Sequence, residues 1–425
     1  MNPRSPRSDN SGTASRLRIL HTADWHLGKS LFDRDRYDEF EAFLNWLFHA
    51  VMEHSVDAVL IAGDIFDTTA PTNRAQTLYY DFLSRLSKTN CRHVVVTAGN
   101  HDSPSFLDAP KAILKSFHIH VVGELPEDIA DEVLLLNDPH GNPELIVCAV
   151  PYLRDRDIRK SEAGESLDDK ERKLREGIED HYGQVAKIAQ QINAGLSRPV
   201  PIVAMGHLFT AGGQTIEGDG VRNLYVGNLA HVESNIFHDC FNYVALGHLH
   251  VPQKVGGSDR IRFSGSPIPM GFGEAKQQKL VHIIEWADGS QSVESVAIPK
   301  FQSLVSVQGD MATINEEINK LKAMDESVWI EVVYDGKEPI SNLREALEPT
   351  LRGSKVEGLK YSDIQKRKTV LSQTSTYEKL EDLNQVEVFQ KRMELEVLPA
   401  ELQATLLALY QEVLRSLDEK DSKAQ

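Results

Sequence analysis

Seven short apolar runs punctuate the first 290 residues: LRIL (17–20), VDAVLIA (56–62), HVVVTA (93–98), IHVVG (119–123), LIVCAV (145–150), PIVAM (201–205) and NYVAL (242–246). They are apolar almost throughout rather than at every second position, which predicts strands covered on both faces. Between them Phe40, Phe43, Leu44, Leu47, Phe48 and Val51 recur at helical spacing and predict a helix with one apolar stripe. A second helix is expected over 71–86, PTNRAQTLYYDFLSRL, opening with a proline, and a third over much of 170–195. Buried strands alternating with amphipathic helices predict an α/β fold, a layered sheet with helices packed on its faces.

One more strand precedes a change of character at about residue 300. KLVHIIEW (279–286) reads as a late strand and DGSQ (288–291) as a turn. SLVSV, INEEINKLKAM and VWIEVVYD then give strand, helix, strand, a small α+β domain. Leu380, Leu383, Val386, Phe389, Met393 and Val397 form one helical stripe; Pro399 breaks it, and Leu402, Leu406, Leu409, Val413 and Leu417 form another. Such stripes pack either within the chain or against a partner helix, and the pattern leaves both open. The division expected is a disordered polar tail at 1–15, a main domain at 16–295, a small domain at 296–372 and a helical element at 373–425.

Composition narrows the classes. With 63 acidic against 46 basic residues the formal net charge is −17, which lacks the basic footprint of most nucleic-acid binders. Bound cations could neutralise part of that charge, and a partner could supply basic surface. Three widely spaced cysteines with no C-x-x-C pair argue for a reducing compartment and against a disulfide scaffold or thiolate metal site. The N-terminus has no apolar leader segment and no run is long enough to span a bilayer, so a cytoplasmic protein without a membrane partner is expected.

The chemistry gathers at strand ends. LRILHTADWH ends in Asp24 and His26, AVLIAGDIFD in Asp64 and Asp67, HVVVTAGNHD in Asn100, His101 and Asp102, PIVAMGH in His207, and YVALGHLH in His248 and His250. In an α/β sheet, groups at the carboxyl ends of strands converge on one edge. Each alone has a bland explanation: a hydrogen-bonded histidine, a helix cap at Asp64 or Asp67, a left-handed turn at Asn100, ordinary turn glycines at Gly63, Gly99, Gly206 and Gly247. Five strand ends acquiring Gly-Asp, Gly-Asn-His or Gly-His together do not. The glycines are read as letting the backbone turn so that the next side chain points back over the sheet edge. Carboxylates, imidazoles and one amide suit manganese, iron or zinc. Seven candidates, Asp24, His26, Asp64, Asn100, His207, His248 and His250, are too many for one ion. With one bridging carboxylate they divide into two shells, a two-metal site roughly 3.5–4 Å across.

The order D-x-H, G-D-x-x-D, G-N-H-D, G-H, G-H-x-H over residues 24–250 resembles the calcineurin-like metallophosphoesterase superfamily. ILHTADWHLGKSLFDRDRYDEF, GDIFDTTAP and FSGSPIPMGFGEAKQQKLVHIIE resemble, more narrowly, the family of bacterial SbcD nuclease subunits. That resemblance implies one metal held by Asp24, His26, Asp64 and His250, a second held by Asp64, Asn100, His207 and His248, and manganese as the usual ion. It leaves His101 to approach the scissile phosphate as the catalytic residue, with Asp67 orienting it; Asp102 is read as a turn or cap residue. The implied activity is hydrolysis of DNA phosphodiesters, as a double-strand exonuclease and a single-strand or hairpin endonuclease, in DNA replication, recombination and repair. The implied partners are DNA and an SbcC-type coiled-coil ATPase, in a heterotetramer with two nuclease subunits. Residues 296–372 would then cap DNA and 373–425 would dock the ATPase. The chain carries no G-x-x-x-x-G-K-[ST] sequence, so a nucleotide site is expected on the partner. The competing expectations are a phosphomonoesterase, nucleotidase or cyclic-nucleotide phosphodiesterase on the same fold, and a non-catalytic scaffold for the ATPase.

Overall fold

The computed structural model describes residues 16–158, 167–210, 233–287, 289–338 and 340–364, with isolated helical positions at Gln403, Leu406, Leu407 and Tyr410. The expected tail at 1–15 and nearly all of the two C-terminal stripes lie outside the described residues.

All seven apolar runs form strands, and they divide between two sheets. In chain order the strands are β1 (Leu17–Thr22), β2 (Ala58–Ala62), β3 (His93–Thr97), β4 (Ile119–Val122), β5 (Val133–Asn137), β6 (Pro143–Ala149), β7 (Ile202–His207), β8 (Tyr243–Gly247), β9 (Gln253–Lys254), β10 (Ile261–Phe263), β11 (Leu280–Ala287) and β12 (Ser290–Ala297). One sheet runs β12-β11-β1-β2-β3-β4 and the other β5-β6-β7-β8-β10-β9. The pairs β1/β2, β2/β3, β3/β4, β6/β7, β7/β8 and β8/β10 are parallel.

Double-sided burial has a specific cause here. Along β2, Val59 and Ile61 join the core beneath the helices, while Ala58, Leu60 and Ala62 join a separate layer with Val147, Val203 and Met205 of the other sheet. Each central strand therefore has one face against helices and one against a second sheet. The helices Tyr37–Glu53 and Asn73–Leu86 cover the first sheet, and Leu167–Ala194 covers the second through residues such as Ile178, Tyr182 and Val185. The expected opening proline, Pro71, lies outside its helix: Thr72 is the N-cap, its hydroxyl accepting from the Ala75 amide at 3.2 Å.

The late strand is β11, antiparallel to β1, and Gly289 at φ 76° closes a tight hairpin into β12. The turn is shorter than expected, because Ser290 already pairs with Ala287. Beyond it, β13 (Ser303–Gly309), β14 (Val328–Tyr334) and β15 (Val356–Asp363) form a three-stranded sheet with helices Met311–Ala323 and Leu343–Leu351. Leu304, Trp329 and Leu359 of this sheet pack with Leu31 and Phe272 of the main body.

Candidate metal centre

β1, β2 and β3 of one sheet and β7 and β8 of the other end at the same edge. The two sets are tied across the gap: the Ala62 carbonyl lies 3.0 Å from His207 Nδ1, and the His248 amide donates to Asp24 Oδ1 at 2.8 Å. Six of the seven expected ligands, Asp24, His26, Asp64, His207, His248 and His250, are at most 3% exposed. Burial on this scale removes the water that would otherwise solvate these charges.

The glycine reading needs correction. Of the four glycines, Gly63 alone takes a positive φ, 84°. Gly99 and Gly247 are there for space: a Cβ on Gly99 would lie 2.2 Å from Asp64 Oδ1, and one on Gly247 1.9 Å from the Ala62 carbonyl. The left-handed turns fall instead on the expected ligands Asp24, His26, Asp64 and His248, at φ 54°, 47°, 50° and 105°.

Two clusters of donor atoms share one carboxylate. His26, Asp64 and His101 form one, and Asp64, His207 and His248 the other, with potential ligand atoms within 4.8 Å of one another in each. Asp64 Oδ2 lies 3.5 Å from His26 Nε2 and 3.4 Å from His207 Nε2. Asn100 Oδ1 is shared by His207 Nε2 at 3.0 Å and His248 Nδ1 at 3.1 Å. His250 meets the first cluster through its Nε2, 3.1 Å from His26 Nε2.

These residues fit divalent cations. His26 Nδ1 lies 3.3 Å from Asp67 Oδ1, and His250 Nδ1 lies 3.5 Å from Glu274 Oε1. A carboxylate beside Nδ1 favours a proton there and a lone pair on Nε2. Two such lone pairs facing each other at 3.1 Å would favour a cation between them. Asp24 Oδ2 and His248 Nε2 are buried without a hydrogen-bond partner, atoms that cost free energy until something binds them.

Electrostatics agree. Burial pushes the Asp24 carboxyl up to about 7, against the pull of His207 and His250. Burial also pushes Asp64 up, but His207, His26 and His101 hold it well below the usual carboxylate range. Burial lowers His26 to about 4 and His248 well below the usual imidazole value. His207 goes the other way: burial would lower it, yet Asp64 and Asp24 raise it to about 9. The two carboxylates thus favour the protonated form of His207.

The surroundings of Asp67, Asp102 and His101 bear on the roles expected of them. Asp67 contacts His101 through its backbone carbonyl, 2.8 Å from His101 Nδ1, while its carboxylate faces His26 Nδ1 and Lys29 Nζ, the latter at 3.0 Å. Its side chain therefore faces His26, one of the expected ligands, and only its backbone faces His101. Asp102 caps no helix. Its Oδ2 accepts from the amides of Ile65 at 3.1 Å and Gly99 at 2.8 Å, and its Oδ1 from Phe66 at 2.9 Å, clamping the loop after β2 to the loop after β3. His101, expected outside both metal shells, has a ring nitrogen within 4.8 Å of donor atoms of His26 and Asp64, and its amide donates to Asp64 Oδ1 at 2.9 Å.

Glu274, Lys279 and Lys29 were not singled out from the sequence. The signal was a Glu and a Lys five residues apart in FGEAKQQK, within a stretch otherwise rich in Gly, Pro and apolar residues.

The calcineurin-like phosphoesterase family matches residues 17–252, and a type 5 capsule protein repressor C-terminal domain matches residues 300–397. The paired sheets and the shared-carboxylate centre thus define a calcineurin-like phosphoesterase. The SbcD subunit of nuclease SbcCD from Escherichia coli (strain K12) is 35% identical over 406 residues, covering 94% of this chain and 98% of that one. Its counterpart from Bacillus subtilis is 32% identical over 74% of this chain and 78% of its own, and that from Rhodobacter capsulatus 35% identical over 64% and 67%. The chain belongs to the SbcD family of nuclease subunits.

Proposed function

We propose that this chain is the nuclease subunit of an SbcCD-type complex and hydrolyses DNA phosphodiesters with two divalent ions, manganese in the first place. The single observation that carries the two-ion reading is Asp64 Oδ2, placed 3.5 Å from His26 Nε2 on one side and 3.4 Å from His207 Nε2 on the other. In this reading Asp24, His26, Asp64 and His250 hold one ion and Asp64, Asn100, His207 and His248 the other. Ions bound there would lower the pKa of a water and polarise a phosphoryl oxygen.

The chain's own residues do the rest. His207 and His248 are locked by the Ala62 carbonyl and the Asn100 amide oxygen, so their rings need no reorganisation. His101 donates Nδ1–H to the Asp67 carbonyl, which leaves Nε2 to carry the proton delivered to the leaving oxygen. Contacts to DNA would go mainly to phosphates, so binding weakens with salt. Residues 296–372 serve as the DNA-capping domain and 373–425 dock an SbcC-type coiled-coil ATPase, which controls access in a heterotetramer with two nuclease subunits. Extended similarity to nuclease subunits over nearly the whole chain supports this over a phosphomonoesterase, which needs no such C-terminal extension.

The test compares manganese-loaded protein on linear duplex and hairpin DNA with p-nitrophenyl phosphate. DNA cleavage is expected; robust monoester hydrolysis without it would overturn the substrate assignment. His101→Ala should retain both ions while kcat falls by about 10²–10⁴-fold, the usual worth of a positioned acid. Loss of metal would make His101 a ligand. Deleting residues from 376 onward should abolish co-purification with the ATPase.

A further inference from the structure

We propose that Glu274, clamped by Lys279, is a positioning residue for one ion of the pair, acting through His250. The inference rests on the two-ion reading above and adds a residue pair to it.

The pair is deeply buried: Glu274 is 0% and Lys279 4% exposed. Glu274 ends the single helical turn Phe272–Glu274, and its two oxygens have different surroundings. Oε2 takes the Lys279 ammonium, the Met270 amide at 3.1 Å and the Ser266 hydroxyl at 3.3 Å. Oε1 has no hydrogen-bond partner and lies 3.5 Å from His250 Nδ1. One oxygen is anchored by three donors, and the other is presented to the imidazole.

Lys279 holds the same residue from its other side. Its Nζ donates to the His250 carbonyl at 3.0 Å and to Ser266 Oγ at 3.0 Å. The Ser266 amide also reaches the His250 carbonyl at 3.2 Å. His250 thus has its backbone oxygen fixed by a lysine and its ring faced by the carboxylate which that lysine anchors. Stability does not explain the arrangement, because well-packed apolar residues in place of a buried ion pair are commonly neutral or stabilising. Orientation does: a carboxylate behind Nδ1 sets the tautomer, fixes the ring plane and raises the basicity of Nε2. His26, whose Nε2 faces that of His250, has the same support in another form, Asp67 backed by Lys29. Both imidazoles offered to one ion therefore stand on a carboxylate tied to a lysine.

The test is calorimetric titration of chelator-stripped full-length protein with Mn²⁺, for the parent, Glu274→Gln and E274Q/K279M. The double variant leaves no lone buried charge, so it separates folding from positioning. The parent should take two ions. In both variants one site should weaken by about 10–100-fold, the usual effect of removing such a partner, while the other keeps its affinity. The metal-free melting curve of the double variant should superimpose on the parent's. Parent affinities at both sites in the variants, or an equal loss at both, would overturn the positioning role. A parent that takes fewer than two ions would refute the two-ion reading itself.

Discussion

Replacing Asp102 with alanine should destabilise the chain and loosen the metal centre together. The carboxyl group is completely buried and accepts three backbone amides, from Ile65, Phe66 and Gly99. Those amides belong to the two loops that carry Asp64 and the pair Asn100–His101. Hydrogen bonds to a charged group contribute about 1.5–3 kcal/mol each, which puts a ceiling of about 9 kcal/mol on the loss of all three. The group does not reach that ceiling, because burial, with Asp64 adding to it, pushes its pKa up to about 7. Bonds to the neutral acid contribute only about 0.5–1.5 kcal/mol each, so a loss of about 1.5–4.5 kcal/mol is expected where the acid is neutral. Asp102→Asn keeps an oxygen where Oδ2 sits and so retains two of the three bonds; it should cost about half as much. Urea unfolding of chelator-treated protein reads the difference as a shift in midpoint at unchanged slope. Metal titration should show both ions weakened, since Asp64 serves both. An alanine variant within about 1 kcal/mol of the parent, below the loss expected for three buried amides, would refute the clamp. So would an asparagine variant as damaging as the alanine one.

Acidification should weaken the junction of the two sheets. His21 and His282 are register partners on β1 and β11; His21 binds the Tyr243 hydroxyl at 3.0 Å, and His282 lies 3.1 Å from the Ser295 hydroxyl. Burial, the largest cause for both, lowers His21 well below its usual value and His282 to about 4. The unfolded chain therefore binds more protons below pH ~6.5, so stability is intact above that value and falls as pH drops toward 4, by up to about 1.4 kcal/mol per pH unit per histidine. Urea midpoints across that range, with and without His282→Gln, check it; a flat profile in the parent would count against it. Gly247→Ala should damage the second ion's site, because its Cβ would fall 1.9 Å from the Ala62 carbonyl and 2.8 Å from His207 Nδ1, two atoms that hydrogen-bond each other. Overpacking of this kind costs about 1–3 kcal/mol, and parent-like binding of two ions by the variant would refute the account.

Much of this was legible because buried strands write a simple code. The apolar runs located β1–β4 and β6–β8, and their polar ends named the residues that gather at the edge. What the pattern could not show was that the layering is two sheets, since a strand covered by helices on one face and a sheet on the other has the same unbroken apolar run as one between two helix layers. β12 escaped because SQSVESVA exposes most of its positions, with only Val293 and Val296 packed. Asp67 illustrates a finer limit. The family resemblance placed it near His101, which holds for its backbone carbonyl, but a resemblance in motif does not say which atom of a residue makes a contact. Glu274 was hidden for the opposite reason: it lies 24 residues beyond the histidine it faces, outside any strand-end motif.

The placement of backbone strain argues for the same site as the side chains do. A non-glycine residue held in the left-handed region costs about 1–3 kcal/mol and persists only where its surroundings over-determine it. Asp24, His26, Asp64 and His248 are all held so, although glycine would occupy these turns at less cost. Glycine has no side-chain donor atom, so chain reversal alone does not account for these four residues, whereas the proposed ligation does. Glycine appears instead at neighbouring positions, 99 and 247, where the ligands crowd the backbone and leave no room for a Cβ. Strain on the ligands and space beside them are two halves of one constraint: donor atoms from five strand ends must approach a common centre more closely than ordinary turns allow. The charge distribution shows what that closeness is for. Asp64 raises the pKa of Asp24, and both carboxylates raise that of His207, so the cluster draws positive charge to the very carboxylates where divalent ions are proposed to bind.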